Sequence, residues 1–399
     1  MINKYILSDN DKLIIFLTFL IYCTSNLTGT TQYESPIVLG ITIFIFLLNS
    51  CRLRFGTFHI ATMQFCVFCL MTIFWARNYN LAMVKAYTIF QNIILMTVLY
   101  SFYSRLKNID PLLKIYMWTG YTVLFYTIYY FGPVRALGLA GVGRLGTAFA
   151  NTNSVGLLCA NTIIIHFFFY LYKKKTASIL LVIPAVMLVV ATQSRKAMVS
   201  MVLGVTALFV LKNSKNIKRN LLPLLRIFMI LLVLLTMLIV ASQTDFFSGI
   251  TERMNGLIAS FTGEGDADHS SSLREAMREL GWQQLRQTPL LGIGMGNARL
   301  LTNEFLGHDC YLHCNYAEMA ANGGIVGLIS YYGIFFYLIW KTIKYFQVET
   351  TSFIILTLIF TKLISEWGMV SYYSKTTFFL LMIYFIHLEI CQNKHPEIK

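Results

Sequence analysis

Long apolar runs alternate with short polar turns along almost the whole chain. They lie near residues 13–29, 37–50, 58–75, 82–102, 112–131, 153–171, 177–192, 196–211, 221–242, 315–340, 351–369 and 375–391. Most approach the roughly 20 residues that a helix needs to cross a bilayer. The second, seventh and eighth are shorter. The pattern predicts an all-α polytopic membrane protein of about 12 transmembrane helices. Residues 243–312 break the rhythm. The predicted organisation is therefore helices 1–9 over 1–242, a long loop over 243–312, and helices 10–12 with a tail over 313–399.

Part of the long loop reads as ordered. Ser272-Leu273-Arg274-Glu275 has capping-box spacing, with Ser at the N-cap and Glu at N3. The helix it opens should run to about Leu285 and stop before Pro289 and the Gly292/Gly294/Gly296 turn. Arg274 would sit in its first turn, with Arg278 four residues on and on the same face. Free N–H groups at a helix N-terminus favour an anion there. The plain alternative is a solvated helix with Glu275, Arg278 and Glu279 as incidental neighbours.

Composition narrows the class. Of 399 residues, 56% are apolar and 13% charged, against about 25% charged in soluble domains, and the mean hydropathy is +0.62. An ordinary soluble enzyme, a disordered chain and a nucleic-acid binder are excluded. The net charge of +14 then belongs to topology. Basic clusters recur on alternate loops: Arg52 and Arg54; Arg105 and Lys107; Lys173 to Lys175; Lys212, Lys215, Lys218 and Arg219; Lys341 and Lys344. The positive-inside rule places these and both termini in the cytoplasm. Asp9 and Asp11 precede the first run and no A-x-A-like site follows it, so the first run reads as an uncleaved span. The eight cysteines lack zinc-site spacing.

The outward segments carry Arg135, Arg144, Arg195, Lys196, Arg253, Arg274, Arg278, Arg286 and Arg299, which are nearly all arginine. Arginine's planar fork suits phosphate or carboxylate. His308 and His313 share the end of the long loop and rank equally on residue pattern alone. Asp266-Ala267-Asp268-His269 reads as an acidic loop tip, not a metal site. Cys310 and Cys314 read as small buried thiols, and Lys362 with Glu366, four apart in an apolar run, as a pair.

Four segments, in order, carry a family likeness. They are Arg144-Leu-Gly-Thr-Ala-Phe-Ala-Asn-Thr-Asn153; Thr192-Gln-Ser-Arg195; Arg274 through Pro289-Leu-Leu-Gly-Ile-Gly294; and His313-Cys314 followed by Gly324-Ile-Val-Gly327. Together they resemble the O-antigen ligase/polymerase superfamily of bacterial polysaccharide assembly over roughly residues 140–330. Cys314 departs from the Asn, Ser or Gln usual there. The wording around His313 looks more like Wzy-type repeat-unit polymerases than ligases.

The resemblance implies a GT-C-like glycosyltransferase, multi-pass in the bacterial cytoplasmic (inner) membrane. Its donor and acceptor would be undecaprenyl-pyrophosphate-linked oligosaccharides, polymerised into O-antigen or capsular polysaccharide, with a chain-length regulator as a further partner. His313 would be the general base of an inverting, metal-independent transfer, and Arg195, Arg274, Arg144 and Arg278 would bind the pyrophosphate. His308 and Glu318 are secondary candidates. No cofactor, metal or nucleic acid is expected. The ligase alternative differs in its acceptor, lipid A–core. A lipid-linked sugar transporter or flippase is the rival of another class, but the chain shows no repeat and its long loop is off-centre and outside.

Overall fold

The computed structural model describes residues 7–27, 31–137, 145, 151–173, 179–217 and 269–398. Every apolar run within them is a helix, and among the described residues there is no strand. The helices are α1 Asp9–Asn26, α2 Thr31–Leu48, α3 Thr57–Met71, α4 Tyr79–Tyr103, α5 Asp110–Phe131, the short α6 Pro133–Ala136, α7 Thr152–Lys173, α8 Val182–Ala191, α9 Arg195–Ile217, α10 His269–Gln287, α11 Ala298–Leu306, α12 Asn315–Lys344, α13 Thr351–Glu366 and α14 Lys375–Lys394. The run at 221–242 lies outside the described residues.

Local signals start several of these helices. Ser8 and Asp11 form a reciprocal capping box on α1, at 3.2 and 3.0 Å. Asn78 accepts from the N–H groups of Asn80 and Leu81 at the start of α4, and Ser374 from that of Thr377 at the start of α14. Each satisfies donors that a helix start leaves open.

Four helical stretches are long and apolar enough to cross a membrane alone: Thr57–Phe74, Tyr79–Tyr103, Thr152–Lys173 and Asn315–Lys344. α7 is the most enclosed, with 72% of its apolar window buried against 44–50% in the other three. It therefore lies inside the bundle, packed on α5, α8 and α9. The others leave large apolar side chains open, among them Ile60, Phe74, Val84, Ile94, Ile329 and Phe336. Such a surface suits hydrocarbon as solvent and would associate in water. The chain is a multi-pass membrane protein whose secondary structure, among the described residues, is all helical.

One expected start is corrected. α10 begins at His269, so Ser272 lies within the helix and is not its N-cap, and Arg274 falls beyond the first turn. Serine's middling helix propensity does not oppose an extra turn, and from Leu273 onward the helix packs through Leu273 and Met277 on the cluster of Leu312, Cys314, Ala317 and Ala321.

Candidate functional site

The chain leaves α11 at Gly307, in the left-handed conformation that ends many helices (φ +67°). It reaches α12 through residues 308–314. Arg299 clamps the first part, with its Nε donating to Asp309 Oδ1 at 2.6 Å and a second, parallel bond beside it. His308 is exposed on that outer turn. Further on, the Leu312 N–H donates to Glu318 Oε2 at 2.9 Å, and Glu318 is buried.

His313 follows with φ +56°. A left-handed residue with a Cβ costs about 1–2 kcal/mol and persists only where the surroundings over-determine it. Its ring lies 4.3 Å from the Tyr311 ring, centroid to centroid. Burial first, then the cations of Arg274 and Lys196, hold its pKa down to about 4. The imidazole is therefore neutral near pH 7.

The arginines arrive from two directions. α10 packs on α12, which brings Arg274 and Arg278 toward the His313–Cys314 segment. Arg274 is half-buried, and among the described residues it has no carboxylate partner. Arg278 pairs with Glu275 and lies over the Trp367 ring, 5.4 Å from its centroid. Its Nε is buried without a hydrogen-bond partner among the described residues. Burial, with Arg274 beside it, lowers its pKa from arginine's usual value. An orphaned guanidinium N–H next to a second arginine fits an anion with several oxygens.

The other direction is the corner between α8 and α9. Thr192 and Ser194 are buried, and Ser194 Oγ accepts from the Ala197 N–H at 3.5 Å. Arg195 and Lys196 then open α9. Gly156 of α7 backs this corner so closely that a Cβ there would meet Thr192 Oγ1 at 2.8 Å and the Ala197 Cβ at 2.9 Å. Cations at a helix N-terminus oppose its dipole, at about 0.3–1 kcal/mol each. Placing two there concentrates positive potential. Lys196 spends one N–H on the Gly368 carbonyl and still acts on His313 through space.

The glycine motifs have a different task. At Gly324 (φ +60°, ψ −157°) α12 breaks its helical geometry. The carbonyls of Ala321 and Asn322 then accept from the N–H groups of Ile293 and Gly294 at 3.0 and 2.9 Å. In return, the Ile325 and Val326 N–H groups donate to the Pro289 and Leu290 carbonyls at 2.8 and 3.2 Å. Residues 289–294 thus form a strap paired to the opened helix. Asn322 locks it, with its Oδ1 accepting from the Ala298 N–H at 2.7 Å and its Nδ2 donating to Glu318 at 3.3 Å. These motifs build the frame and offer no reactive group.

The structure therefore gathers His313, Arg274, Arg278 and Lys196, with Arg195 next to Lys196. It sets His308 apart on an exposed turn. Arg144 lies outside the described residues, as does Asp266-Ala267-Asp268. Cys310 and Cys314 are free thiols, the second buried. Glu318, a secondary candidate, fixes the backbone one residue before His313. Lys196 was visible in the sequence only as one of the outward cations, with nothing to place it near His313.

No curated protein matches the chain. Residues 179–332, which run from α8 to the middle of α12 and so contain every gathered residue, match the family model described as O-antigen ligase. Residues 179–332, and with them the gathered site residues, are therefore a segment similar to the O-antigen ligase family.

Proposed function

We propose that the protein is a membrane glycosyltransferase that polymerises undecaprenyl-pyrophosphate-linked oligosaccharide repeat units on the outer face of the bacterial cytoplasmic membrane. The observation that carries this reading is a neutral, half-buried His313 beside Arg274 and Lys196, with the unpartnered Nε of Arg278 nearby. An acceptor sugar hydroxyl attacks the anomeric carbon of the donor. The bond from that carbon to the pyrophosphate oxygen breaks, and His313 takes the hydroxyl proton. The leaving lipid pyrophosphate needs its charge neutralised rather than a proton, and Arg195, Arg274 and Arg278 supply that as preorganised donors. Arg144 is the fourth expected cation. Twelve spans with cytoplasmic termini put these residues on the outer side.

The test uses purified protein with lipid-linked repeat units and no other acceptor. A ladder of longer lipid-linked chains is expected, and excess chelator should leave it unchanged. Elongation absent under these conditions, but transfer appearing on addition of lipid A–core, would replace the polymerase by the ligase. Unidirectional movement of the lipid across vesicles with no new glycosidic bond would replace both by a transporter.

A further inference from the structure

Two residues beyond His313, the first residue of α12 enters a buried polar cluster that the reaction above does not use. Asn315 is fully enclosed. Its Oδ1 accepts from the backbone N–H groups of Ser371 and Tyr372 at 3.0 and 3.1 Å. Its Nδ2 donates to the Tyr332 hydroxyl at 2.9 Å and to Glu366 Oε2 at 3.1 Å. Every hydrogen-bonding capacity of the amide is used.

Glu366 lies at the end of α13 with no exposed surface. Its Oε1 accepts from Tyr331 at 2.8 Å, Ser371 at 2.9 Å and Lys362 at 3.0 Å. Lys362 spends its remaining protons on Ser371 Oγ at 2.5 Å and Thr377 Oγ1 at 2.8 Å. Burying a carboxylate and an ammonium is costly, and an apolar pair of similar volume is often at least as stable. Stability alone therefore does not account for the pair. A fully satisfied network does confer rigidity, because any displacement leaves a buried group unpaired.

What this network makes rigid is the start of α12. His313 is held left-handed between two anchors: the Leu312 N–H on Glu318, and the Asn315 side chain on Glu366 and the 371–372 backbone. Both anchors end on buried carboxylates. We propose that Glu366, acting through Asn315, is a positioning residue that holds His313 in its half-buried place facing Arg274 and Lys196. The inference rests on the reading of His313 as the base.

The charged and titratable groups facing His313 are Arg274 from α10, Lys196 from α9 and Tyr311 from its own segment. Releasing the Asn315 anchor should let the ring reach water and leave that field. Its protonation would then move up toward about 6.5, the ordinary histidine value.

The decisive variants remove the charges as a pair, so that no lone buried ion remains: Glu366→Ala with Lys362→Met, and Glu366→Gln with Lys362→Met. The glutamine keeps an acceptor for Asn315. The alanine pair is expected to lose about 10- to 100-fold in kcat, the scale of a misplaced catalytic group. Donor KM should change little, and the acid limb of kcat/KM should shift upward. The glutamine pair should recover most of the rate and the original limb. A wild-type rate in the alanine pair, or equal losses in both pairs with an unmoved limb, would overturn the proposal. Should the alanine pair not fold, Asn315→Ala, which leaves the ion pair intact, carries the same expectation and the same refutation.

Acylation of His313 by diethyl pyrocarbonate, followed against pH by peptide mass spectrometry with His308 as internal control, reads the shift without glycosyl transfer. If that titration moves while even the wild type transfers no sugar, positioning stands and the functional reading falls. If transfer is normal and the titration does not move, the reverse holds.

Discussion

At His313 two demands oppose each other. Burial and the cations of Arg274 and Lys196 keep the ring neutral, which a base requires, yet a pKa near 4 makes it a weak one. A bound pyrophosphate would offset those cations and raise the histidine's basicity in the complex. A base works unprotonated, so activity is lost as pH falls through its pKa. The acid limb of kcat/KM, which reports the free enzyme, should therefore lie near 4, and the limb of kcat, which reports the complex, should lie higher. Coincident limbs would mean that the anion does not face His313. His313→Ala should slow elongation by about 10²–10⁴-fold, leaving mostly single repeat units on the lipid, whereas His308→Ala should elongate almost normally. Arg274→Lys keeps the charge and loses the fork. It should raise donor KM with the kcat/KM limb in place, while Arg274→Ala should also move that limb upward.

Among the elements, α12 couples the histidine segment to the strap. Its break at Gly324 frees the backbone groups that residues 289–294 need. Gly324→Ala would carry a Cβ at φ +60° and 2.5 Å from the Leu290 carbonyl carbon. The left-handed backbone alone costs about 1–2 kcal/mol, and the strap must also shift. Thermal unfolding in detergent should show a clear fall in midpoint, with loss of elongation. Gly333→Ala is the control on the same helix: nothing lies within 4 Å of the added Cβ, and alanine favours a helix by up to about 1 kcal/mol. Its midpoint should hold or rise. If the two variants unfold alike, the strap is not a mechanical element. The same helix explains the unusual Cys314. It is the N-cap of α12 and makes no side-chain cap bond, at a position where Asn or Ser would make one. Cys314→Ser should stabilise by roughly 0.5–1 kcal/mol without loss of activity.

At the scale of the whole molecule, the proposed twelve-span topology puts the arginine-bearing corner of α8 and α9 on the same side as α10 and the His313 segment. The alternation of basic loops is its basis. In a background where the exposed Cys51 is replaced by Ser, Asp266→Cys should react with a membrane-impermeant thiol reagent applied from outside, and Lys174→Cys only after permeabilisation. Both positions lie outside the described residues, so the measurement is independent of the packing above. The opposite labelling pattern would refute the orientation, and with it the outer-face location of the transfer.

The sequence by itself determined the class of molecule, because apolar runs of bilayer length with few charges leave the chain no soluble alternative, and each run that the structure describes is a helix. It also pointed to the family whose model matches residues 179–332, through four short segments in order, and to His313, Arg195, Arg274 and Arg278. Tertiary structure decided what those segments do. Pro289 to Gly294 and Gly324 to Gly327 read as motif residues, but their carbonyls and N–H groups pair across some thirty positions of chain, a relation that no local pattern encodes. The start of α10 differs because a serine–glutamate spacing signals a cap only where the helix does not continue upstream of it, and here the helix begins at His269. Arg274 and Lys196 face one histidine because α10 and α9 converge there, and burial of the ring, with those two cations beside it, holds its pKa down. Glu318 and Asn315 show the limit most plainly. A carboxylate and an amide in an apolar helix indicate only that something polar is buried, and the partners that give them a task come from elements that the chain reaches later and meets only in the folded bundle.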